Sequence, residues 1–387
     1  MDKGLIFLLL ICALMVVPRA LQRFRVPAPM SCFLIGMLVL VLMPGHHSGA
    51  LHLSAVLGIT TLFLYAGLET DLRELAEQRG PLLRYLLVRL GGIGLFAVAA
   101  VAWLGLPWQA AVLLALAVLT SSTGFIIDSL DRFDLDAAER FWVTNQAIAG
   151  ELLALCLMFV VLQASDPMTL ALSTGVLLAL IVLMPLAYVA LTRWVLPHAP
   201  GSEFSLLVTV AIVAAAVTDK LGVEFLLGAF LAGLAARLLR PRMPWLSTGR
   251  TMHAVKLFSS FFMPFYFFRQ GAQVPAGAFG WEALAIGLGL SLLLSLRLSS
   301  VYFQRRRHGD DAAAAWRVAL SLSPTLIFTL VLAQILRERF AIPEPLFGGL
   351  LIYAGINTLL PSLVLRSASH PAARRPRQIE PASAHDP

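Results

Sequence analysis

Thirteen apolar runs follow one another along almost the whole chain, and they decide what it can fold into. They cover roughly residues 4–18, 28–44, 51–68, 82–105, 108–130, 141–163, 168–192, 204–219, 223–239, 255–271, 281–303, 314–336 and 345–365. Each is about the length a helix needs to cross ~30 Å of hydrocarbon, although several are short or interrupted by Gly or Pro. In lipid only helices and closed barrels satisfy every backbone N–H and C=O, and these runs are far too long for barrel strands. Composition agrees. Hydrophobic residues make up 59% and charged residues 13%, with a mean hydropathy of +0.83, whereas a soluble domain carries about a quarter charged residues. The expected fold class is therefore an all-α membrane protein with about 13 transmembrane helices.

The first run, Gly4–Val17, has the length of a signal peptide, but Pro18-Arg19 and a basic stretch follow it instead of a small-residue cleavage site. It reads as a retained first span. The loops then alternate in charge. Twenty-two Lys and Arg fall on one side, among them Arg19, Arg73, Arg132, Arg193, Arg237 and Arg305. Five fall on the other (Lys3, Lys220, Arg269, Arg337, Arg339), and Arg89 and Arg297 lie inside runs. That bias predicts an N-terminus outside and a C-terminus in the cytoplasm, in a plasma or bacterial inner membrane. It also explains the net charge of +7 without a nucleic-acid partner. Cys12, Cys32 and Cys156 all sit in apolar runs and read as packing residues.

An odd number of spans suits two inverted-topology repeats around a linker. The expected organisation is a first repeat of six spans (1–163), a linker span (164–202), a second repeat of six spans (203–366) and a disordered cytoplasmic tail (367–387). Two pairs of positions fit. Span three ends on Phe63-Leu-Tyr-Ala-Gly67-Leu-Glu69, and its partner, span ten, on Phe265-Tyr-Phe-Phe-Arg-Gln-Gly271. Span five is interrupted by Thr120-Ser121-Ser122-Thr123-Gly124, and span twelve by Ser321-Leu-Ser323-Pro324-Thr325. Interrupted helices at corresponding places in two halves mark the midplane site of many transporters. Singly, such Ser/Thr/Gly runs also serve as packing glue between helices.

Ionisable groups inside spans are costly in lipid and are functional candidates. Glu151 lies mid-span with no charged residue within ten positions on either side, and its side chain is too short to snorkel. The alternative is a protonated, hydrogen-bonded structural glutamate. Burial favours the neutral acid and a nearby cation the carboxylate, a balance a proton carrier requires. Arg297 is the cationic partner this pattern points to, with snorkelling as the alternative. Arg89 lies nearer a span end and reads as a snorkeler. Asp128 closes span five, either as a funnel residue or as a boundary charge. Asp219, Lys220 and Glu224 read as solvated. His46, His47 and His52 share an outer loop, a weak metal hint beside the plainer reading of loop histidines.

Several stretches resemble the monovalent cation:proton antiporter-2 family, the sodium/hydrogen exchanger transmembrane domain with the NhaA-like fold, over about residues 4–366. They are Val26-Pro27 with Gly36 and Met43-Pro44-Gly45, Leu62 through Glu69 with Leu72, Leu119-Thr120-Ser121-Ser122, Glu203 leading to Leu221-Gly222 and Gly228–Gly233, and Ile356-Asn357-Thr358 with Pro361. The resemblance implies that Glu151 occupies the family's ion-binding acidic position, with Glu for Asp. Gly150 stands where many members carry a first carboxylate or amide, which implies electroneutral one-for-one exchange. Arg297 matches the family's basic residue. Pro324-Thr325-Leu326 replaces a frequent Arg-Gly-Glu-like stretch.

The expected function is exchange of Na⁺ or K⁺ for a proton at Glu151. Thr120 and Ser121 would help to hold the cation, with Ser122, Thr123, Gly124, Ser321, Ser323, Pro324 and Thr325 forming the breaks. No cofactor and no metal beyond the transported cation is expected, and the scaffold half would form a homodimer interface. A Na⁺-coupled organic-anion transporter of the same fold and a non-transporting membrane sensor are the rivals. An intramembrane enzyme would need a nucleophile, base or metal set, and none is apparent. The tail is too short for the nucleotide-binding regulatory domain that some relatives append.

Overall fold

The computed structural model describes residues 3–42, 49–130, 132–164, 166–221 and 225–365. His46, His47, Gly222 and Glu224 lie outside the described residues, as does the tail. Among the described residues all regular structure is helical. The α-helices are α1 (Lys3–Leu21), α2 (Ala28–Leu42), α3 (Gly49–Glu69), α4 (Leu72–Glu77), α5 (Arg79–Leu104), α6 (Trp108–Leu119), α7 (Thr123–Leu130) and α8 (Ala137–Gln163). After them come α9 (Pro167–Trp194), α10 (Glu203–Lys220), α11 (Phe225–Leu239), α12 (Gly249–Ala272), α13 (Trp281–Arg307), α14 (Ala312–Ser321), α15 (Leu326–Phe340) and α16 (Glu344–Val364). Seven spans among the described residues, one of them α6 continued into α7, are long and apolar enough to cross a membrane, or eight if α14 and α15, bent by 41°, count as one span. The short α4 corresponds to none of the apolar runs.

Local chemistry sets the boundaries. Asp136 caps α8 in a reciprocal box, accepting from the Glu139 amide while the Glu139 carboxylate accepts from the Asp136 amide. Asp166 caps α9 ahead of Pro167. Hydrogen bonds from the Thr169 hydroxyl and the amides of Thr169 and Met168 hold its carboxyl below the usual carboxylate range. Asp311 caps α14. Gly105 ends α5 in the left-handed region, and Pro107 starts α6.

Two groups of helices form. In one, α3 packs on α11 and α12, α12 on α2, and α10 on α11. In the other, α13 packs on α16, α15 on α6 and α16, and α8 on α5, α6 and α14. Glycines set the closeness of the first group. A Cβ on Gly67 of α3 would lie 2.2 Å from the Phe230 carbonyl oxygen, and one on Gly233 of α11 would lie 2.2 Å from that of Leu64. Gly36 of α2 and Gly271 of α12 make a second such contact, each Cβ falling 2.0 Å from a carbonyl oxygen of the other helix. Only glycine permits these backbone-on-backbone crossings. The outward faces of α5, α9 and α13 are apolar, with Leu95 and Leu292 each 74% exposed and Leu172 62%. Such faces suit a surrounding of lipid.

Candidate functional site

Both interrupted segments are true breaks, and they touch. α6 stops at Leu119, Thr120 turns extended, and α7 starts at Thr123. α14 stops at Ser321, and α15 starts at Leu326. Pro324 lacks an N–H and cannot continue a helix. The Ser122 amide donates to the Pro324 carbonyl at 2.9 Å, and the Ser121 hydroxyl donates to the Leu322 carbonyl at 2.8 Å. In return the Phe328 amide donates to the Ser122 hydroxyl at 3.1 Å. Gly124 lies against the Leu62 side chain of α3, which a Cβ there would meet at 2.9 Å.

A helix that ends inside a membrane leaves four carbonyls to be satisfied. At the end of α6 every one has a donor. The Thr120 amide serves Leu116, and the Thr329 hydroxyl serves Ala117 at 2.7 Å. The Tyr353 hydroxyl serves Val118 at 2.6 Å, and the Arg89 guanidinium serves Leu119. At the second break Arg297 plays the matching part. Its Nη1 donates to the Ser323 carbonyl at 3.1 Å, and its Nη2 donates to the Ser121 hydroxyl at 2.7 Å and to the Leu322 carbonyl. Asn357 of α16 completes it. Its Nδ2 donates to the Thr325 hydroxyl at 2.8 Å, and its carbonyl accepts from Ser323 at 3.0 Å.

Glu151 of α8 is buried, 3% exposed, and its Oε2 accepts from the Thr123 amide at 3.1 Å. That amide opens α7, so the carboxylate sits at the positive end of a helix dipole. Among the described residues the buried Thr120 hydroxyl has no hydrogen-bond partner, nor have the Ser321 hydroxyl and the Gln146 side-chain oxygen. Unpartnered oxygens are what a partly dehydrated cation would use.

The structure thus brings Glu151, Thr120, Ser121, Ser122, Thr123 and Gly124 together with Ser321, Ser323, Pro324 and Thr325. Arg297 serves the breaks and makes no ion pair with Glu151 among the described residues. Arg89 does not snorkel but turns inward. The side chain of Asp128 lies outside the described residues. Sequence reasoning passed over Tyr85, Gln146 and Tyr353, and gave Asn357 no site role; polar groups in an apolar span were the available signal.

Two cavities adjoin the site. One of about 210 Å³ lies between the helix groups, where Arg19, Cys32, Leu62 and Lys256 meet Gly124, Phe125 and Ile327. The other, about 870 Å³ and mostly apolar, runs between α5 and α13 with Arg89, Ser121 and Arg297 on its wall.

Residues 6–367 match the family described as "Sodium/hydrogen exchanger, transmembrane". The chain belongs to that sodium/hydrogen exchanger family. It is accordingly a multi-pass integral membrane protein of an antiporter family. The Escherichia coli (strain K12) protein "Putative cation/proton antiporter YbaL" is 23% identical over 336 residues, 82% of this chain. The chain spans 58% of that relative's length. Its fold is that of the sodium proton antiporter MjNhaP1 from Methanocaldococcus jannaschii. One structure of that protein, at pH 8, aligns with TM-score 0.66 and 16% identity over 92% of this chain and 94% of the other. Another, an electron-microscopy map, aligns with TM-score 0.61 and 16% identity over 94% and 95%.

Proposed function

We infer that this exchanger-family chain is a monovalent cation:proton antiporter, carrying Na⁺ or K⁺ against H⁺ one for one at Glu151. The observation that carries the reading is the buried Glu151 carboxylate on the first amide of α7, where the breaks cross. A proton or a cation occupies that carboxylate in turn, because binding of one lowers affinity for the other. The unpartnered Thr120 hydroxyl and the Ser121 hydroxyl supply further oxygen near the breaks. With Glu151 as the one carboxylate at the site among the described residues and glycine at 150, one charge enters for each that leaves, so the cycle is electroneutral.

The thirteen-span, inverted-repeat reading has two kinds of support. Arg89 from span four covers the first break, and Arg297 from span eleven covers the second, as equivalent helices should. The Gly67–Gly233 contact joins spans three and nine, and the Gly271–Gly36 contact joins spans ten and two, again an equivalent pair. The N-terminus then lies outside and the C-terminus in the cytoplasm, by the Lys/Arg bias. α5 to α8 and α13 to α16 form the moving core, and the remaining helices form the scaffold and a homodimer interface.

Proteoliposomes loaded with a pH-sensitive dye test this. Added Na⁺ or K⁺ should drive proton movement in the wild type and none with Glu151→Gln. Undiminished exchange in that variant rejects the reading. Sodium-dependent uptake of an organic anion instead would favour the coupled-uptake alternative.

A further inference from the structure

The glycine before Glu151 has a charged neighbour, Arg89, to which the exchange reading gives no part in the binding of proton or cation. A Cβ on Gly150 would sit 3.2 Å from Cζ and Nη1 of Arg89, and 3.2 Å from the Tyr85 hydroxyl. Two donations hold the guanidinium there, Nη1 to the Tyr85 hydroxyl at 2.5 Å and Nη2 to the Leu119 carbonyl. Its Nε is buried and finds no acceptor among the described residues. A hydroxyl and a carbonyl orient this cation but do not neutralise it.

We propose that Arg89 is the resident counter-charge of Glu151, a positioning residue whose fixed positive charge competes with proton and transported cation alike for the carboxylate. Gly150 gives the guanidinium its room. The inference rests on the reading of Glu151 as the exchange site. Other charges near α8 are few. Of the helices packed against it, α5 brings Tyr85 and Arg89, with Arg79 and Arg84 in its first turns, and α6 brings none. α7 has Asp128, and α9 has Tyr188 and Arg193. α14 has Arg317, which forks onto Glu139. Arg297 from α13 donates to Ser121, Leu322 and Ser323 of the two breaks, whereas Arg89 stands against Gly150, next to Glu151. Arg89 is therefore the cation placed to act on Glu151.

An opposite charge close to a buried carboxylate favours its ionised form. Without it, both the proton and the transported cation should bind more tightly. Arg89→Gln should move the pH of half-maximal exchange upward by about one unit, a tenfold change in proton affinity. It should also lower the apparent cation KM measured at high pH. Arg89→Lys should restore most of both. Gly150→Asp places a carboxylate against the guanidinium and should move the midpoint upward too, and by more than Gly150→Ala does.

All are measured in the same dye-loaded proteoliposomes beside Glu151→Gln. A slower Arg89→Gln with unmoved midpoint and KM overturns the inference. If Arg89→Gln does not insert, an unmoved midpoint in Gly150→Asp overturns it. Exchange that survives Glu151→Gln instead rejects the site reading, and the inference with it.

Discussion

Thr120 closes the leading half-helix of the first break and Thr325 opens the trailing half-helix of the second, and their hydroxyls are used differently. That of Thr120 has no partner among the described residues, whereas that of Thr325 accepts from Asn357 and from Thr329 at 2.8 Å each. Thr120→Val should therefore leave thermal stability in detergent nearly unchanged and raise the cation KM. Thr325→Val strands Asn357 and should cost about 1–3 kcal/mol, seen as a lower melting temperature. Glu151 was legible in the sequence because a lone acid in an apolar run has few explanations. Arg297 was legible as inward-facing, but its target was not, since the Leu322 and Ser323 carbonyls it serves lie in a break whose placement is tertiary. Arg89 was misread as a snorkeler. Its distance from the helix end allowed either direction, and the contact of α5 with α6 and α8 decided it.

At the scale of elements, side chains from three other helices close the end of α6. Tyr353→Phe keeps the shape of α16 but uncovers the Val118 carbonyl, and should lower stability by about 1–3 kcal/mol in a thermal unfolding assay. The glycine crossings are stricter. Gly67→Val forces its Cβ onto the Phe230 carbonyl of α11, so the backbones must part; expression or melting temperature should fall well below that of the wild type. The breaks themselves could be read from Ser/Thr/Gly and Pro324. The part played by α16 could not, because Tyr353 and Asn357 look like ordinary polar residues of a last span until the partner carbonyls are known. The short α4 carried no periodic signal at all.

Over the whole molecule, apolar runs and arginine loops predicted helices throughout, and the family match makes them parts of a multi-pass antiporter fold. How the two helix groups face each other was not readable, since that depends on contacts between distant segments such as Leu62 on Gly124. A cysteine pair at these two positions, in a chain freed of Cys12, Cys32 and Cys156, should form a disulfide and stop exchange, with recovery on reduction. Continued exchange in the oxidised protein would show that the groups need not slide there. The α6 end also sets an order of events during synthesis. The Val118 carbonyl waits for Tyr353, 235 residues later, which is roughly ten to fifty seconds of translation. Until then the first break cannot be sealed. A nascent chain thus keeps a polar wound in the bilayer until nearly every helix has been inserted, an interval in which membrane quality control can tell a half-made protein from a finished one.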